Sequence, residues 1–359
     1  MKYDVTIVGA GPGGMLLAYL LAKAKYDVLL LEKTSILGQA FRGEHLNVEG
    51  ENVLKKYKLF DKIERFGLLR METLDYYSNG EKLKTIYPDE QIGHLGIHVP
   101  QKHLLGAIYN EALKLPNFHC MLGTNVKNLI QDDKGLYTTV EVSTSGVISN
   151  IQTKLIIAAD GRHSTITKKL NLPIKKISHG YDLLWARIPA PNNWEPSIKM
   201  ALVDGMQLSL FTQYNNFIQI GWNIPKGSYP TLIKDDFKPF IDKLIKAFPE
   251  LKTTVENSIQ SWKDFVLLDV FSSQADYWSK ENVIVIGDAV HAFTPTGAFG
   301  LNCSLKDAEV VAELLIMNSL KLTNWETCER ERKNVILEIQ KKQREMEANF
   351  SHHFSEVQT

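Results

Sequence analysis

Near its N-terminus the chain reads Gly9-Ala10-Gly11-Pro12-Gly13-Gly14, between an apolar run, Val5-Thr6-Ile7-Val8, and a helical pattern from Met15 to Ala24. Glycines spaced this way suit a phosphate cradle. Gly9 permits a tight turn, Gly11 lets backbone approach a pyrophosphate, and Gly14 lets helix and strand pack closely. The helix that follows offers free N–H groups and the positive end of its dipole to an anion. A second apolar run, Asp27 to Leu31, ends in Glu32. That carboxylate can accept from a ribose 2′-hydroxyl and disfavours a 2′-phosphate. The motif alone does not choose between FAD and NAD, and its structural alternative is a glycine turn beside a surface glutamate.

Two later segments repeat the theme of a buried strand ending in an acidic residue. Leu155-Ile156-Ile157-Ala158-Ala159 runs into Asp160-Gly161-Arg162-His163-Ser164. A carboxylate there stands at the carboxyl end of a strand, where open α/β sheets bind ligands, although Asp-Gly after a strand is also an ordinary turn. Val283-Ile284-Val285-Ile286 runs into Gly287-Asp288-Ala289, followed by Pro295-Thr296-Gly297-Ala298-Phe299-Gly300-Leu301-Asn302. The glycines let backbone approach a flat ring, and a helix starting near Leu301 aims N–H groups at an electron-rich carbonyl or developing anion.

These residues need a sheet to hold them, and the chain has the material for one. The 359 residues, about two domains' worth, are 44% hydrophobic and 23% charged, the profile of an ordinary globular protein. Lys+Arg and Asp+Glu balance at 41 each, which argues against a dominant nucleic-acid role. Cys120, Cys303 and Cys328 are scattered, so neither a disulfide scaffold nor a cysteine-rich metal site is expected. His45, His98, His163, His179 and His291 have no metal-ligand spacing, so no metal is expected. Cys303 reads as a packing residue rather than a nucleophile. No stretch reads as a signal peptide or membrane span, and a cytoplasmic location is expected. The opening is a βαβ unit, and the middle is richer in strands, with a hairpin predicted across Asn79-Gly80. A charged amphipathic helix is expected from Trp325 to Phe350, with Glu329–Lys333 on a solvated face.

Together the three motifs resemble the class A flavoprotein monooxygenases, the p-hydroxybenzoate hydroxylase-like family, over about residues 1 to 330. The resemblance implies an α/β fold: a Rossmann-like FAD-binding domain of the GR2 type, interleaved with a mixed β-sheet substrate domain and followed by a C-terminal helix. The boundaries it suggests are 1–72, 98–176 and 266–322 for the FAD domain, 73–97 and 177–265 for the substrate domain, and 323–359 for the C-terminal helix and tail. It implies FAD held by Gly9, Gly11, Pro12, Gly13, Gly14, Glu32, Lys33, Arg42, Gln101, Val126, Asp160, Gly161, Asp288, Gly300, Leu301 and Asn302. Pro295 and Gly297 would line the flavin ring where chemistry occurs. NADH or NADPH would be a transient reductant, and a C4a-hydroperoxyflavin formed with O₂ would hydroxylate the substrate.

Two departures from the family's pattern stand out. Its Asp-Gly motif continues to an arginine at the position of Thr167, where Lys168 is the nearest cation. By approximate placement, Met200, Leu210 and Thr212 fall where the resemblance puts a phenol-contacting Tyr, a Ser and a carboxylate-binding Arg, and with Trp222 and Pro295 they suggest a more apolar pocket for an aromatic or polycyclic small molecule. Gly221-Trp222-Asn223-Ile224-Pro225 matches half of a motif of the flavin halogenases. A halogenase or a geranylgeranyl-reductase-type oxidoreductase is therefore the alternative function. The expected assembly is a monomer or homodimer, with no nucleic-acid partner.

Overall fold

The structure is a computed structural model that describes residues 2–39 and 44–354. Its contacts divide the chain into two compact units, each assembled from separated segments. The first comprises Met1–Gly67, Pro100–Ile177 and Ser272–Lys341; the second comprises Leu68–Val99, Ser178–Phe271 and Lys342–Thr359.

The first unit is built on an eight-stranded sheet among the described residues. Its parallel part sets Lys2–Val8 between Val28–Leu31 and Val147–Ala158, with Phe118–Met121 and Val283–Val285 outside them. Val5, Ile7, Leu29, Leu30, Ile156, Ile157 and Ile284 are fully buried, which explains why these strands read as continuous apolar runs. Register matters most for function. Val8 pairs with both Leu31 and Ala158, and Ala158 pairs with Val285. The strands stop in step, so Gly9, Glu32, Asp160 and Gly287 leave the sheet at one carboxyl-terminal edge.

The second unit is a seven-stranded mixed sheet in the order Val266–Leu268, Tyr181–Pro189, Phe217–Pro225, Met206–Gln213, Ser197–Val203, Thr73–Ser78 and Glu81–Ile86. The last two strands are the predicted hairpin, and Asn79 and Gly80 take the positive φ values that its turn requires. Cross-strand partners define the two faces. Ala201, Leu208, Trp222 and Leu184 form one row, and Met200, Ser209, Gly221 and Trp185 form the neighbouring row on the opposite face. The first face carries the core, where Leu208, Leu210, Ile220 and Trp222 pack against Phe240, Ile241 and Leu244 of the Phe237–Ala247 helix. Trp222 stacks on Phe240 with ring centroids 4.0 Å apart.

The C-terminal helix, Trp325–Ala348, corrects one expectation. Arg330 and Glu331 are exposed, but Arg332 is buried, and so are Trp325, Ile336 and Gln340 on the same face. Gln340 donates to the carbonyls of Ser273 and Ala292 at 3.1 and 3.0 Å. The charged run hides an inward arginine because a helix turns a residue back to the same face every three to four positions. No helix among the described residues is long and apolar enough to cross a membrane.

The packing predicts that Trp222→Ala destabilises the protein by about 3–5 kcal/mol, the cost of emptying an aromatic core site. Denaturant unfolding of the purified variant measures this. A loss below about 1 kcal/mol would show that Trp222 is not a core residue.

Candidate active site

Each glycine of the first motif has a distinct surrounding. A Cβ on Gly9 would lie 2.4 Å from the Ala159 carbonyl oxygen, and one on Gly14 would lie 2.0 Å from the carbonyl oxygen of Gly9. A Cβ on Gly13 would meet Ser304 Oγ at 2.3 Å. These three glycines permit close packing. Gly11 differs, since nothing lies within 4 Å of the position its Cβ would take, so its backbone faces open space. It is the N-cap of the Pro12–Lys23 helix, whose first turn has no side-chain cap, as an anion-binding terminus requires.

Glu32 closes the cradle. Its Oε2 accepts from the Ala10 N–H at 2.8 Å, and its Oε1 accepts from the backbone N–H and hydroxyl of Thr34 at 2.9 and 3.0 Å. The carboxylate is therefore fixed beside the glycine loop. Lys33 is exposed, and Val126 is half-buried on the Thr124–Gln131 strand. Gln101 begins a helix with its N–H donated to Glu44 Oε1 at 2.8 Å. Arg42 lies outside the described residues.

Asp160 organises the second motif. Its Oδ2 accepts from the N–H groups of Thr165 and Ile166 at 2.7 and 3.2 Å, while Oδ1 is buried with no protein partner. Burial pushes this carboxyl up from its ordinary range, against the hydrogen bonds from Ser164, Ile166 and Thr165. A buried acceptor of this kind suits a hydroxyl of a bound ligand. Gly161 has φ +79°, as the turn demands. Thr167 is buried, and its Oγ1 bonds Ser164 Oγ at 2.7 Å and donates to the Ala289 carbonyl at 3.2 Å. Lys168 is exposed.

The third motif joins the other two. A Cβ on Gly287, which has φ +63°, would sit 2.9 Å from Ser304 Oγ, the group that also touches Gly13. Asp288 pairs with Arg162, Nε to Oδ2 at 3.2 Å, and Arg162 also donates from Nη2 to the Phe293 carbonyl. Sequence reading missed Arg162; its signal was a cation inside the Asp-Gly motif. Beyond Pro295, Gly297 and Ala298 both have positive φ, 74° and 53°, before the Phe299–Met317 helix begins. A left-handed alanine costs about 1–2 kcal/mol, so this conformation is held by its surroundings. Successive N–H groups in such a turn form a concavity for negative charge, continued by the helix N-terminus at Gly300 and Leu301. The side chain of Asn302 is spent elsewhere. It accepts from the Asn47 N–H at 3.1 Å and donates to the carbonyls of His45 and Ala298 at 3.1 and 2.8 Å.

Beneath this loop lies a buried charge network absent from the sequence reading. Asp307 Oδ2 accepts from the Gly287 N–H at 2.9 Å and from His291 Nε2 at 2.6 Å, and its Oδ1 accepts from Arg332 Nε at 2.7 Å. Burial alone would raise this carboxyl; His291 and Arg332 overcome that and hold it at about 2. Cys303 is buried, and burial pushes its thiol well up, which is a packing cysteine's behaviour. His98 Nδ1 accepts from the Tyr214 N–H, and His179 Nδ1 meets Glu347 Oε2 at 2.6 Å. No group of three or more metal-ligating side chains occurs among the described residues.

Of the residues expected at the substrate, Leu210 and Trp222 are in the core of the second unit. The Thr212 hydroxyl is engaged with Trp194, Ser197 and Glu195. Met200 is on the opposite face of that sheet, and Pro295 belongs to the first unit.

The chain matches known proteins over most of its length. The family model described as "FAD binding domain" matches residues 2–339. The 6-methylpretetramide 4-monooxygenase of Streptomyces rimosus is 29% identical over 324 residues, covering 89% of this chain and 76% of that one. The para-nitrophenol 4-monooxygenase of Pseudomonas sp. (strain WBC-3) is 24% identical over 320 residues, 87% and 77% of the two chains. Among solved structures, PqsL of Pseudomonas aeruginosa, described as a probable FAD-dependent monooxygenase, superposes with a TM-score of 0.81 at 18% identity, covering 99% of each chain. The chain belongs to the FAD-binding domain family. Within it, the protein is a flavin-dependent oxidoreductase of the class A monooxygenase type, and its cofactor is FAD.

The Asp307 network predicts an acid-sensitive loop. Because the folded carboxyl is held below its ordinary 3.8, its stabilisation is complete above about pH 4 and is lost as pH falls towards 2. Asp307→Asn should cost about 3–5 kcal/mol at neutral pH, leaving Arg332 buried and unpaired, and should flatten the fall in stability between about pH 4 and pH 2. Denaturant unfolding across that range checks both. A variant as stable as the parent would refute the network.

Proposed function

We propose that the protein uses NADH or NADPH and O₂ to hydroxylate an aromatic or polycyclic small molecule. One oxygen atom enters a carbon–hydrogen bond of the substrate, the other leaves as water, and the nicotinamide supplies the two electrons. The observation that carries this reading is the convergence of the glycine loop, Glu32, Asp160, Asp288 and the Gly297–Ala298 turn through one sheet edge and the Ser304 contact. The named relatives act on aromatic compounds, 6-methylpretetramide and para-nitrophenol, which favours an aromatic substrate.

The residues present fit FAD: an open cradle at Gly11, a fixed carboxylate at Glu32, a buried unpartnered oxygen on Asp160, and a turn of N–H groups at Gly297–Ala298. When bound, FAD supplies the electron relay and the activation of O₂. The chain's own groups would do the rest. The N–H groups at Gly11–Gly14 and the helix dipole would hold the pyrophosphate, with Glu32 on the adenosine ribose. Asp160 Oδ1 and Asp288 would accept from hydroxyls of the cofactor. The N–H groups from Gly297 to Leu301 would stabilise negative charge on the ring, while Pro295 would help exclude water. Gly9, Gly13, Gly14 and Asn302 would act through packing and positioning.

For the substrate we favour the sheet face that carries Met200, Ser209, Phe211 and Gln219, because the other face carries the larger core, whereas on this face a smaller cluster buries Trp185 with Tyr181, Leu183 and Val270. Half-buried Met200, Phe211 and Gln219 there combine apolar area with a polar handle, the usual make-up of a small-molecule site.

The purified protein should show a bound-flavin absorbance spectrum, or gain one on adding FAD. Asp288→Ala should weaken FAD retention by about tenfold or more without unfolding the chain, since a charge-assisted acceptor is lost. Equilibrium dialysis measures the retention. Unchanged flavin content in that variant would remove Asp288 from the site, and a protein that takes up no FAD would remove the function. NAD(P)H oxidation with O₂ uptake, stimulated by an aromatic compound, is the expected turnover. A requirement for halide would select the halogenase instead.

A further inference from the structure

We propose that Arg162 is a positioning residue of the flavin site, holding Asp288 as a charge-compensated acceptor and fixing the start of the loop that leads to Pro295–Asn302. The proposal rests on the FAD reading above and adds a residue that neither motif nor comparison assigns.

Three observations carry it. First, the place where the related pattern has an arginine is closed here. Thr167 is 2% exposed, and its hydroxyl is committed to Ser164 and to the Ala289 carbonyl. Lys168, the neighbouring cation, is exposed. Second, the guanidinium of Arg162 spans two points of one segment, Asp288 Oδ2 through Nε and the Phe293 carbonyl through Nη2. A planar fork can fix two acceptors at once, whereas a lysine ammonium is a single point on a flexible stem. Third, Asp288 Oδ1 lies 3.4 Å from where a Cβ on Gly300 would be, so fixing this carboxylate also fixes its approach to the first turn of the Phe299–Met317 helix.

The electrostatic consequence is specific. A bare carboxylate beside a dianionic pyrophosphate-bearing ligand repels it, and the repulsion is strong where solvent is partly excluded. Arg162 and Asp288 are each about one-third exposed at the side chain. Paired, they are neutral together, and Oδ1 is left to accept a hydrogen bond. Arg162 thereby lets an acidic residue work next to an anionic cofactor.

The test uses the full-length apoprotein titrated with FAD, followed by flavin fluorescence, with the thermal midpoint of each apoprotein measured alongside. R162Q should weaken FAD binding by about 10- to 100-fold, the range for losing charge-assisted hydrogen bonds. R162K should fall between the two, since it keeps charge and loses the fork. The decisive variant is R162Q/D288N. Removing the uncompensated carboxylate should recover part of the affinity lost in R162Q, a result that a merely structural role for Arg162 would not give. Wild-type affinity in R162Q, or a double variant no tighter than R162Q, would overturn the proposal while leaving the FAD reading intact. A wild-type chain that binds no FAD would overturn both. Should R162Q fail to fold, R162K decides: weaker FAD binding at an unchanged thermal midpoint supports the proposal, and wild-type binding overturns it.

Discussion

The structure depends on one close approach, where Gly13 and Gly287 both lie against the side chain of Ser304. No Cβ fits at Gly13 there, and at Gly287 one would crowd the same hydroxyl. The helix that follows the glycine loop and the helix that follows the Gly297–Ala298 turn can therefore meet at backbone distance. The in-step ending of the parallel strands supplies the other half of the constraint, by setting the loops at a common edge. With both conditions met, two helix N-termini without side-chain caps and several acidic side chains stand at one sheet edge, the arrangement proposed above to hold FAD.

Charge is handled in two layers there. At the sheet edge, Glu32, Asp160 and Asp288 are each oriented by backbone N–H groups or by a guanidinium, so none is a loose anion. Beneath it, Asp307 is wholly buried and is satisfied by Gly287, His291 and Arg332. Networks of this kind contribute little net stability but strongly penalise loss of one member, so they fix geometry. The C-terminal helix joins the Phe299–Met317 helix through Arg332, which bonds Asp307 and also donates to the Cys303 carbonyl at 3.1 Å.

The parts of this arrangement that were legible in the sequence are those written in short, contiguous patterns. The glycine motif, Glu32 at its strand end, the two acidic turns and the Asn79-Gly80 hairpin announce themselves by local spacing. Arg332 does not, because its partner Asp307 is on another helix and its own neighbours read as a solvated charged run. Arg162 lay within a motif already singled out, yet only the fold brings it to Asp288. Leu210 and Trp222 show a different limit. Strand alternation says which residues share a face, but which face is covered by the Phe237–Ala247 helix is settled by residues far along the chain.

The most direct test of the account is the fate of molecular oxygen. A panel of phenols is screened for compounds that accelerate NAD(P)H consumption by the FAD-loaded protein, and turnover is then run under ¹⁸O₂ with the product analysed by mass spectrometry. A flavin hydroxylase gives a hydroxylated product with a single ¹⁸O atom under ¹⁸O₂, and an unlabelled one when ¹⁸O-water and ordinary O₂ are used instead. Product without label under ¹⁸O₂, or reductant and oxygen consumed with hydrogen peroxide as the sole oxygen product, would contradict the account.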